Sequence, residues 1–81
     1  MKVQELLDSE DKWCQGDLCL IKEDGTVQHC LYGAILECYP DYDQQESIFK
    51  RIRAIVGSSI TTWNDTSTFE RVQQLVKELD I

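Results

Sequence analysis

Several common protein classes are excluded by what the chain has little of. It contains one proline and four glycines in 81 residues, too few for a collagen-like or Pro/Gly-rich disordered chain. Its longest apolar run, Leu31 to Leu36, is interrupted by Gly33 and falls far short of a membrane span. The first residues reach Glu5 and Asp8 without an apolar stretch of the ~7–15 residues an export signal needs, so a cytoplasmic location is expected. Basic residues are scarce, eight against fifteen acids, for a net charge of −7. Without a basic footprint, direct nucleic-acid binding is not expected. Adhesion to an anionic membrane is disfavoured on the same ground.

What is present is ordinary for a folded chain: 42% apolar and 28% charged residues. The expectation is one compact domain over residues 1–81, of a size that buries about 60% of its unfolded surface. The acidity is uneven. Residues 1–49 hold eleven acids and three bases, for −8, whereas residues 50–81 hold four acids and five bases, for +1. An electrostatic binding face is therefore expected in the first half. An acidic surface suits a basic partner, or keeps the chain soluble.

The hydrophobic pattern predicts a small α+β domain of four helices and one β-hairpin. Val3, Leu6 and Leu7 fall on one face of a helix over 2–9. Leu18–Ile21 and Val27–Gln28 flank Asp24-Gly25, a strong turn signal, and predict a hairpin over 18–28. Residues 29–38 fit a second helix, stopped by Pro40. Gly33 inside it implies close approach of another backbone. Residues 44–56 carry the Ile48, Ile52 and Ile55 stripe, with Asp43 as N-cap, Glu46 as capping-box acid and Gly57 at the C-terminal turn. Residues 68–79 form the last helix, with Ser67 and Glu70 at capping-box spacing. Ser58–Trp63 is β-prone and predicts a short strand or an extended connection. The predicted core is Leu6, Leu20, Leu31, Ile35, Ile52, Ile55, Trp63, Val72, Leu75 and Val76.

Three segments stand out: Trp13-Cys14-Gln15-Gly16, Cys30-Leu31-Tyr32-Gly33-Ala34-Ile35, and Ile60-Thr61-Thr62-Trp63-Asn64-Asp65 ahead of a capped helix. In order and spacing they resemble a family of small bacterial and phage proteins of unknown function. Members of that family carry a Trp-Cys-Gln-Gly turn, a Cys-Ala-Leu-Gly-Ala helix and a Trp-Asn-Asp segment. The resemblance covers roughly residues 2–79. This chain departs from it with Leu31-Tyr32 where Ala-Leu is usual, and with Cys19 and Cys38, which the pattern does not require. The resemblance implies a compact fold and a phage or mobile-element setting, in which small acidic proteins often bind and block a host protein. It implies no chemistry.

The residues themselves suggest several chemistries. Cys14, Cys19, Cys30 and Cys38, with His29 as a substitute, lack the paired short spacing of a zinc site. Cys30 and Cys38 lie about 12 Å apart along a helix. No metal and no cofactor are expected. Cys14, His29 and Asn64 or Asp65 supply the residue types of a cysteine hydrolase, but a chain this short has little room for a substrate cleft. A polar pocket built from Trp13, Cys14, Gln15, His29, Asn64 and Asp65 is the sharper alternative to a structural brace. The favoured expectation is a non-catalytic interaction module. Asp8, Glu10, Asp11, Asp41, Asp43 and Glu46 would meet a host protein with a basic surface, with Tyr39 and Tyr42 as aromatic anchors. A homodimer is the other association considered.

Overall fold

A computed structural model describes all residues, 1–81. The chain runs α1 (Val3–Leu6), a 3₁₀ turn (Glu10–Lys12), β1 (Cys19–Ile21), β2 (Val27–His29), α2 (Leu31–Cys38), α3 (Tyr42–Val56), α4 (Ile60–Thr66) and α5 (Phe69–Leu79). The strands pair antiparallel as a two-stranded hairpin. The α+β class is therefore as expected. No helix is long and apolar enough to cross a membrane.

One helix more than expected is present. The β-branched residues Ile60, Thr61 and Thr62 favour extended backbone, yet residues 60–66 form α4. Its N-cap Ser59 accepts the Thr62 N–H at 3.3 Å. Ile60, Asn64 and Ser67 are buried and Trp63 is half-buried. These positions follow i, i+3, i+4, i+7, so a helical stripe exists, but two of its four members are polar and conceal it.

Helix ends also differ. α1 stops at Leu6 rather than Ser9, because Leu7 leaves helical geometry to bury its side chain. α3 begins at Tyr42, directly after the block imposed by Pro40. Its cap is Asp41, which accepts the Asp43 N–H at 2.8 Å, so Asp43 and Glu46 are not the cap and capping-box acid. Gly57 ends α3 at φ 73° as expected, a conformation glycine adopts without Cβ strain. Thr68, not Ser67, caps α5 through the Arg71 N–H. Ser67 is already committed as the buried end of α4.

The core is one cluster drawn from all five helices, centred on Leu31, Ile35, Ile52, Val72 and Val76, none of them exposed. Tyr32 and Phe49 stack on its margin, ring centres 4.7 Å apart. Val3 and Leu7 take the place expected of Leu6, which is half-buried, as is Trp63. Leu20 and Ile55 are corrections, at 40% and 57% exposed. Leu20 lies on a hairpin whose strand β1 is exposed throughout. Ile55 lies in the last turn of α3, where a cleft lined by Val56, Trp63, Arg71 and Leu75 leaves it open. The expected close approach at Gly33 is present. A Cβ there would collide with the carbonyl oxygen of Leu18 and stand 3.0 Å from its carbon.

Candidate functional site

Asn64 sits at the crossing of three segments and is fully buried. Its Oδ1 accepts the Trp13 indole N–H at 2.7 Å and the Leu31 backbone N–H at 2.9 Å. Its Nδ2 donates to the Cys14 carbonyl and to Asp65 Oδ1, both at 3.1 Å. All four hydrogen-bonding capacities of the amide are therefore used. Gln15 closes the same network from outside: its Nε2 lies 3.0–3.2 Å from the carbonyl oxygens of Asn64, Asp65 and Ser67. Asp65 also accepts the Gly16 N–H at 2.9 Å.

The chain folds this way locally for identifiable reasons. Gly16, at φ 85°, turns the backbone where a side chain would be strained. Helix α4 then presents Asn64 inward and Asp65 outward on successive positions. Cys14 and His29 are tied through the backbone, the Cys14 N–H donating to the His29 carbonyl at 3.1 Å. Trp13 forms a parallel bridge to His29 and packs its ring 6.0 Å from that of Phe69.

The structure thus brings together Trp13, Cys14, Gln15, His29, Asn64 and Asp65. Their polar groups largely face one another. The Cys14 thiol donates to the Asp17 carbonyl at 3.4 Å, and burial pushes its pKa up to about 11. It is a protonated thiol at neutral pH, not the thiolate that nucleophilic catalysis needs. Burial also raises the Cys30 and Cys38 thiols. Cys19 is exposed. No three His, Cys, Asp or Glu side chains cluster in a way that could hold a metal ion. Nδ1 of His29 is buried without a hydrogen-bond partner. A small cleft of about 120 Å³ adjoins the network, lined by Gly16, Asp17, Leu18, Cys30, Thr61 and Asp65.

The acidic residues lie elsewhere. Asp8, Glu10 and Asp11 are exposed around the 3₁₀ turn. Asp8 pairs with Lys12 at 2.9 Å. Asp11 accepts the Ser9 hydroxyl at 2.6 Å, which holds its carboxyl below the usual value. Asp41 and Asp43 are exposed at the start of α3, and Glu46 is half-buried one turn on. Tyr42 is 70% exposed. Tyr39 is not comparable: its ring packs on the core, and its hydroxyl donates to the Ile81 carbonyl at 3.0 Å.

Two contributors to the network carry no sequence signal, and one helix cap beside it is equally hidden. The Leu31 N–H and the Ser67 carbonyl are backbone groups, and any residue could supply them. Cys30 has the pattern of a core residue, but its sulfur also caps α2 by accepting the Gly33 N–H at 3.4 Å. A sulfur cap is a weak acceptor and lies outside the Ser/Thr/Asp/Asn signature of helix starts.

No curated protein and no solved structure matches the chain. A family model covering nearly all of it does: residues 1–79 match, and the chain belongs to a family of unknown function, DUF6197.

Proposed function

We propose that this chain is a cytoplasmic, non-catalytic interaction module, a phage-type accessory or inhibitor that binds and blocks a basic host protein through its acidic surface. The observation that carries this reading is Tyr42. It is a large aromatic ring, 70% exposed, between the exposed carboxylates of Asp41 and Asp43. An open aromatic flanked by charge of one sign is the composition of an interface anchor with an electrostatic surround. The −8 charge of residues 1–49 supplies longer-range steering toward a basic partner. Asp8, Glu10 and Asp11 add to it.

The test must respect the capping role of Asp41. Asp41→Asn keeps the cap while Asp43→Lys and Glu46→Lys reverse charge. The combined variant should fold normally and bind the basic partner at least about tenfold more weakly, and wild-type affinity should fall as salt rises. Equal affinity of variant and wild type, or salt-independent binding, contradicts the reading.

The second reading is a small-ligand or metal module, or a cysteine-dependent enzyme, centred on Cys14, His29 and Asn64. The unpartnered His29 Nδ1 is the observation in its favour. Cys14→Ser separates the two readings, because a ligand-site or catalytic role loses function with folding and partner binding intact.

A further inference from the structure

The hairpin has one edge that no other part of the chain covers. Cys19 faces His29, Leu20 faces Gln28 and Ile21 faces Val27. Just beyond the strands, the Leu18 carbonyl accepts the Cys30 N–H at 3.2 Å and the Lys22 N–H donates to the Thr26 carbonyl at 2.9 Å. Antiparallel pairing alternates along each strand. Backbone groups of residues 18, 20 and 22 therefore point at β2, and those of Cys19 and Ile21 point away from it. On β2 the outward set includes His29, whose carbonyl is met by the Cys14 N–H beside the Trp13 bridge. The sheet has no third strand to do the same for β1.

The surroundings of this edge are apolar. Leu18, Leu20, Ile21 and Val27 are 47%, 40%, 73% and 42% exposed. Folded chains usually blunt such an edge by shortness, proline, a bulge or charge. β1 is three residues long, with Lys22 just past its end and no proline or bulge within it. The rim is acidic. Asp17 precedes β1, and Glu23 and Asp24 form the turn. A second copy of this chain would oppose two such rims, and like charges across an interface are unfavourable.

We infer that β1 is a docking strand for an extended segment of a partner protein that is apolar along its middle and basic at its ends. The segment adds as a third strand. Cys19 and Ile21 supply two N–H and two C=O groups to it. Leu18 and Leu20 on one face, and Ile21 and Val27 on the other, receive its successive apolar side chains, and the acids at the two ends of β1 select lysine or arginine at its ends. This goes beyond the acidic-surface reading: it uses no residue of α3, and its test reads the amides of residues 19–22 with a peptide, so it and the α3 charge reversal can fail separately.

The test is a titration of the ¹⁵N-labelled full chain, kept reduced because Cys19 is exposed. The probe is a short synthetic peptide with a valine middle and lysine at each end, and the control carries glutamate at each end. The expected result is saturable shifts of the residue 19–22 amides with the lysine peptide only, fading at high salt. Ile21→Pro removes one outward N–H and no hairpin bond, so it should weaken binding at least about tenfold with the fold retained. Ile21→Lys, at a largely exposed position, should do the same through charge, and it carries the test if the proline variant does not fold. Four results overturn the proposal: no shifts with either peptide, equal shifts with both, full affinity in the folded variants, or concentration-dependent shifts at residues 19 and 21 without peptide. The last would indicate pairing with a second copy.

Discussion

The Trp13 indole N–H and the Leu31 backbone N–H converge on one oxygen, Asn64 Oδ1, at 2.7 and 2.9 Å. One buried amide thereby joins the first turn segment to α2 and α4, across 51 and 33 residues of chain. Asn64→Ala would leave two donors and the Cys14 carbonyl without partners, one of them fully buried at Leu31. A loss of about 3 kcal/mol is expected in urea unfolding followed by circular dichroism. Trp13→Phe removes a single hydrogen bond, keeps most of the packing on Phe69, and should cost only about 1 kcal/mol.

Gly33→Ala places a methyl group against the Leu18 carbonyl. Helix propensity alone favours alanine by up to ~1 kcal/mol, so the substitution sets propensity against packing. The obstacle is backbone held by the Cys30 N–H and cannot swing aside. Packing should win, with a net destabilisation of about 1–3 kcal/mol. A stabilised variant would show that the hairpin yields at this contact.

Cys14 makes stability depend on alkaline pH. Its folded-state pKa, about 11, is raised above the ordinary 9.0 chiefly by burial. The unfolded chain therefore releases this proton first. The stability held by the buried thiol is complete below about pH 9 and is lost as pH rises toward about 11. Wild type should lose up to about 3 kcal/mol relative to Cys14→Ala across that window. In the native chain at neutral pH, iodoacetamide should label the exposed Cys19 well ahead of Cys14, as peptide mass spectrometry would record.

Local signals in the sequence carry much of this fold. Asp24-Gly25 marks the hairpin, Pro40 the end of α2, and Gly57 the end of α3, because each acts through its own backbone. Gly33 marks a close approach without naming Leu18 as the neighbour, since a missing side chain does not identify what fills the space. Helix α4 is hidden because its buried stripe is half polar, and tertiary hydrogen bonding at Asn64 overrides β-branched propensity. Leu20 and Ile55 look like core because periodicity reports a face and not whether anything covers it. At the site, residue types point to Trp13, Cys14, Gln15, His29, Asn64 and Asp65 as one group. That their hydrogen bonds largely close on one another depends on distances no spacing encodes.

The most direct measurement is a native mass spectrum of the chain gently purified from its source cells, beside the Asp41→Asn, Asp43→Lys, Glu46→Lys variant prepared identically. The expected result is a complex of the 9.4 kDa chain with a basic protein, present for wild type at low salt. It should be lost in the variant and at high salt. A mass raised by a metal ion or small ligand, or a complex equally abundant in the variant, would contradict an acidic docking face.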